Sequence, residues 1–191
     1  MAKKSSARTV INTVGHSTHP IDEFVRILEA HGIRQVVDVR TVPRSRHNPQ
    51  FNRENLPVSL KAAGIAYRHM PELGGLRHPK RDSINTGWRN ASFRGYADYM
   101  QTPEFHAGLD KLIVAAAEVP TAIMCAEAVP WRCHRSLIAD ALSIRGIEVR
   151  EILSASKAQV HALTPFAMVN GSELTYPGAG EDNLSLKFDE P

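Results

Sequence analysis

Five short runs of β-branched and apolar residues, at 9–14, 36–39, 65–70, 121–125 and 148–153, are separated by polar loops and amphipathic stretches. This alternation constrains the chain more than any other feature. Strands that alternate with helices pair in parallel, and a parallel sheet has to be covered on both faces. The pattern predicts a three-layer α/β sandwich with a mostly parallel sheet of about five strands flanked by helices. The first helix has its apolar stripe at Ile21, Phe24, Val25 and Leu28, with Pro20 at its start and Asp22 and Glu23 against its positive end. The helix after Cys133 carries Leu137, Ile138, Ala141 and Leu142 and stops at Gly146. A length of 191 residues fits one domain. Its expected extent is 1–164, with long loops at 40–52 and 71–95, followed by an acidic tail at 165–191 that holds five acids against one lysine.

No run of about 18 apolar residues occurs, and no apolar stretch of signal-peptide length follows Lys3 and Lys4. A soluble, cytoplasmic protein with no membrane partner is expected. Cys125 and Cys133 are too few for a disulfide scaffold, so thiol, catalytic or ligand roles come first. Charge is uneven: residues 1–100 carry 16 Lys and Arg against 8 Asp and Glu, whereas residues 101–191 carry 7 against 12. Between Arg40 and Arg94 the ratio is 11 to 3, which predicts an anionic partner, a small molecule or a nucleic acid.

In an open parallel sheet the ligand crevice lies beyond the carboxyl ends of the strands. His16 and Ser17 follow the first strand; Arg40, Arg44, Ser45 and Arg46 follow the second; Gly74 and Gly75 follow the third. The richest stretch follows the fourth: Cys125-Ala-Glu127-Ala-Val-Pro130-Trp-Arg132-Cys133-His134-Arg135. A helix start there would present backbone N–H groups to an oxyanion, joined by the forked donors of Arg132 and Arg135. Glu127 is placed to act as general base or to orient water. Cys133 beside His134 at a helix start has the setting of a nucleophile. His16, Ser17 and His134 would orient the reacting group, and Arg40 would hold phosphate. Cys125, in an apolar strand, reads as a core residue, and Asp38 as the buried partner of Arg40. No metal or other cofactor is expected, because the C-x7-C spacing is not that of a zinc ribbon or knuckle and no second cysteine pair exists.

The leading expectation is an enzyme of hydrolase or glycosidase type acting on a phosphate-bearing nucleotide or nucleic acid, with Glu127 as base. The alternatives are sulfur or phosphoryl transfer through Cys133, and a non-catalytic module that binds a nucleic acid or other ligand. Cys125 and Arg132 enclose six residues where the protein-tyrosine-phosphatase loop encloses five, which speaks against that loop.

Thr13-Val-Gly-His-Ser17, Val37-Asp-Val-Arg40 with Pro43-Arg-Ser45, Leu73-Gly-Gly75, Phe93-Arg-Gly-Tyr-Ala97, Cys125-Ala-Glu127 with Pro130, and Cys133-His-Arg135 together resemble the bacterial domain-of-unknown-function 488 family. The resemblance runs from about Thr9 to Ile152 and implies a Rossmann-like α/β domain. It implies a role in nucleotide or nucleic-acid processing only as a suggestion, since the family has no settled activity, and a fold alone does not supply a reaction.

Overall fold

The computed structural model describes residues 9–178. All five expected strands form: β1 (Val10–Gly15), β2 (Gln35–Asp38), β3 (Ala66–His69), β4 (Thr121–Cys125) and β5 (Glu148–Ser154). They pair in parallel, and a sixth strand, β6 (Lys157–Val160), pairs antiparallel with β5 to close one edge. The strand order is β3-β2-β4-β1-β5-β6. Five helices flank the sheet: α1 (Ile21–Ala30), α2 (Leu56–Ala62), α3 (Ala91–Tyr99), α4 (Pro103–Glu118) and α5 (Arg135–Ile144). This is the Rossmann-like sandwich. β6 had no apolar signal to announce it, because all four of its residues are exposed and its contribution is the backbone ladder.

The two faces of the sheet carry separate cores. Phe24, Ile27 and Leu28 of α1 and Leu56 and Leu60 of α2 pack on Val14, Val36, Ala122 and Met124. On the other face Tyr96, Phe105, Leu109, Leu112, Leu137 and Ile138 of α3, α4 and α5 pack on Ile11, Val37, Ile123 and Val149. Each such side chain contributes roughly 1.5–3 kcal/mol through burial. β4 is covered on both faces and is buried along its whole length, which explains its unbroken apolar run.

β1 and β4 are neighbours, but the chain leaves them for α1 and α5 on opposite faces. The two exits part and leave a crevice at the carboxyl edge of the sheet. Pairing continues a little past the strands, with His16 N–H donating to Cys125 O and Ser17 N–H to Ala126 O, both at 2.9 Å. Gly15 permits this approach, since a Cβ there would lie 1.9 Å from the Glu127 carbonyl oxygen. Ser17 takes a left-handed backbone, φ 47°, to turn the chain away.

Two expected boundaries are corrected. The loop expected at 71–95 ends earlier, because Asn90 caps α3 by accepting from the Ser92 and Phe93 N–H groups. Buried Asp98 then ties the loop down, accepting from Lys80 N–H, the Ser83 hydroxyl and the Asn85 amide. The second correction concerns the tail, since residues 165–178 return to the body. A hairpin of β7 (Met168–Asn170) and β8 (Glu173–Thr175) leads to buried Leu174 and Tyr176. The Tyr176 hydroxyl donates to Asp140 at 2.8 Å and its N–H to the Asn85 side-chain carbonyl at 2.9 Å. Residues 179–191, which carry four of the five acids of that segment, lie outside the described residues. Among the described residues no helix is long and apolar enough to cross a membrane.

His161 joins this C-terminal packing to the sheet, with one ring nitrogen 2.8 Å from Glu151 and the other 2.8 Å from Asp140. Burial alone would lower its pKa, but the two carboxylates outweigh burial and raise it from 6.5 to about 9. The stabilisation, on the order of 2–3 kcal/mol, is therefore complete below pH 6.5 and lost as the pH rises through about 9. Thermal denaturation from pH 6 to 10 should show this decline. His161→Gln should flatten it, and an unchanged slope in the variant would refute the assignment.

Candidate active site

A cleft of about 770 Å³ opens at the crevice between the β1 and β4 exits and extends over the loop after β2. Its wall carries His16, Ser17, Arg40, Arg44, Ser45, Gly75, Cys125, Glu127, Arg132, Cys133 and His134. Most of the residues predicted from four separate strand ends are thus gathered at one place. Their roles divide by burial.

Glu127, Arg44 and Arg132 are exposed, and among the described residues their side chains take part in no hydrogen bond or ion pair. They form the mouth. Ser45 shapes the loop after β2, with its N–H on Asn52 Oδ1 at 2.6 Å and its hydroxyl accepting from Asn48 N–H at 3.0 Å. Val42 and Leu76, single apolar residues in irregular loops that carry no periodicity, join Phe93 from the first turn of α3 in an apolar wall whose place at the cleft sequence reading did not find.

Several predicted contacts are corrected. Arg40 is only 7% exposed and grips Asp38 with Nε at 2.9 Å and Nη2 at 2.6 Å. It also donates to the Phe51 carbonyl at 2.8 Å and to His16 Nε2 at 3.1 Å, so it holds the wall rather than reaching out for phosphate. His16 is 2% exposed, stacked on Phe51 at 4.1 Å, with Nδ1 donating to Ser17 O at 2.8 Å. Burial above all, with the Arg40 charge adding, pushes its pKa down to about 4. The ring stays neutral, accepts from Arg40, and positions the wall instead of transferring protons. Arg135 is 1% exposed, and its guanidinium donates to Thr13 Oγ1 at 3.2 Å and to the Glu127 carbonyl. It braces the loop that carries Glu127 from beneath and does not enter the cleft as a donor. Gly74 spends its N–H on Pro71 O at 2.9 Å, and Arg46 is exposed away from the lining.

The floor holds Cys125, Cys133 and His134, whose ligand atoms all lie within 4.8 Å of one another. His134 Nδ1 is 3.7 Å from Cys133 Sγ, and its Nε2 is 3.1 Å from the Val39 carbonyl, to which it donates. The Cys125 and Cys133 side chains adjoin, and their interaction pulls the Cys133 pKa well down and pushes that of Cys125 well up; burial raises both and Arg135 lowers both. Cys125 is therefore part of the site as well as of the core. Its position at the last residue of β4 was the available signal. Gly75 packs flat against the imidazole: a Cβ there would come within 2.4 Å of His134 Nδ1. Among the described residues, the cluster able to hold a metal ion is this one.

Fold and cleft define an open-sheet α/β protein with a thiol-floored crevice at its strand ends. The chain belongs to the DUF488 family, a domain of unknown function, whose family model matches residues 20–142. That span takes in the loops after β2, β3 and β4 but not the β1 exit at His16 and Ser17. No curated protein and no solved structure matches the chain.

Proposed function

We propose that this protein is a hydrolase whose substrate carries a phosphate, a nucleotide or the end of a nucleic acid, with Glu127 as the group that deprotonates or orients water. The observation that carries the reading is the unpaired charge at the mouth. Glu127, Arg44 and Arg132 line one cleft, and among the described residues none of them forms an ion pair. Two guanidiniums suit a phosphate, and an uncommitted carboxylate suits proton transfer. The apolar wall of Val42, Leu76 and Phe93 suits the flat face of a base.

The test is a panel of nucleoside mono- and triphosphates and short single-stranded DNA and RNA, followed by release of phosphate or free base. On whichever is turned over, Arg132→Ala and Arg44→Ala should each raise KM about tenfold with kcat little changed, the loss of one charge-assisted contact. An unchanged KM in both variants, or no turnover across the panel, would refute the reading. A second reading, group transfer through Cys133, is favoured by the 3.7 Å approach of His134 Nδ1 to its sulfur. It requires a Cys133 sulfur that nothing else holds.

A further inference from the structure

We propose that Cys125 Sγ, Cys133 Sγ and His134 Nδ1 together bind a divalent transition metal ion, with zinc the best match, and leave its fourth position open to the cleft. In a tetrahedral zinc site, Zn–S bonds of about 2.3 Å and Zn–N bonds of about 2.0 Å set the ligand atoms roughly 3.5–3.8 Å apart. The 3.7 Å between His134 Nδ1 and Cys133 Sγ is already such an edge, and the whole triad lies within 4.8 Å. Only small movements separate the cluster from a closed coordination shell.

The surroundings favour a ligand role atom by atom. The Nε2–H of His134 is donated to the Val39 carbonyl, which fixes the tautomer and leaves the Nδ1 lone pair facing the sulfurs. Gly75 stands where any side chain would cover Nδ1.

Charge gives a further argument. Arg135 is a buried cation with no carboxylate within ion-pair distance among the described residues, and its Nε has no hydrogen-bond partner. Two thiolates, a neutral imidazole and a divalent ion sum to zero, so Arg135 leaves the floor one positive charge in excess. The fourth ligand that balances it is an anion, a hydroxide or a substrate oxygen.

Three protein ligands with an accessible fourth position are the pattern of catalytic rather than structural zinc. The use of that position rests on the function proposed above; its occupancy does not. In that use, a metal-bound water gives one proton to the Glu127 carboxylate. The remaining hydroxide oxygen forms the new bond to the electrophilic centre with its lone pair. The bond to the leaving group breaks, and the leaving group receives the proton from Glu127.

The experiment is titration of the full-length, reduced, metal-free protein with Co2+, then with Zn2+ as competitor. One cobalt per chain should give the strong visible bands of a tetrahedral ion and a thiolate charge-transfer band, both abolished by zinc. Cys133→Ser should weaken the charge-transfer band and lower affinity at least ~10-fold. Gly75→Ala, which leaves every ligand in place, should weaken binding by covering Nδ1. Glu127→Gln should leave the spectrum unchanged. A weak octahedral spectrum, together with thiols that alkylate equally fast with and without zinc, would overturn the site and leave Cys133 as a free thiol. Intact metal binding in a Glu127→Gln protein that retains full turnover would instead count against the hydrolase reading and spare the site.

Discussion

Glu127→Gln is expected to reduce kcat by about 10²–10⁴-fold, the usual contribution of a positioned general acid or base, with little change in KM or in unfolding free energy. The separation of effects follows from how the residue is held. Its backbone carbonyl is fixed by Arg135, whereas the carboxylate itself is exposed and unbonded among the described residues. Glutamine keeps the shape and the backbone contact with Arg135, so only the proton-accepting capacity is lost. Steady-state kinetics beside urea denaturation check both halves. A variant with wild-type kcat would remove Glu127 from the chemistry, and one that unfolds would mean its carboxylate has a structural partner.

The second large effect falls on stability. Asp38 is fully buried, and its two oxygens accept from Arg40 N–H, Nε and Nη2 and from the Tyr67 hydroxyl at 2.6–3.1 Å. Burial first, then the Asp38 charge and the hydrogen bond to it, raise the Tyr67 pKa, so Tyr67 remains a donor throughout the ordinary pH range. Asp38→Ala would leave the Arg40 guanidinium buried without its counter-charge, and such broken pairs cost on the order of 3–5 kcal/mol. The damage should spread to the cleft, since Arg40 also holds His16 and the Phe51 carbonyl, and His16 stacks on Phe51. Urea unfolding should register the loss, and a change below about 1 kcal/mol would show that the pair is dispensable.

The parallel sheet was legible because burial on both faces writes a continuous apolar run, as in Thr121–Cys125, and the helices because their stripes repeat at helical spacing. β6 and the β7–β8 hairpin were not, because their outward residues bear no pattern and their stability lies in backbone pairing and in the anchoring of Leu174 and Tyr176. At the site, sequence could name the residues beyond each strand end but not which way a side chain turns. Arg40, Arg132 and Arg135 are equally cationic on paper; only packing makes two of them internal braces and leaves one at the mouth. Cys125 shows the converse, an apolar-strand residue whose terminal position delivers its sulfur to Cys133 and His134. The C-x7-C spacing spoke against a metal site because the chain brings the two cysteines together by a loop and a short turn, Pro130–Arg132, rather than by a knuckle.

Whether water is the attacking group in this cleft is decided by turnover in oxygen-18-labelled water. With the phosphate-bearing substrate found in the panel, the product should carry one labelled oxygen for each bond broken, in the wild-type protein and, at its reduced rate, in Glu127→Gln. Unlabelled product, with the transferred group recovered on Cys133, would contradict hydrolysis by water.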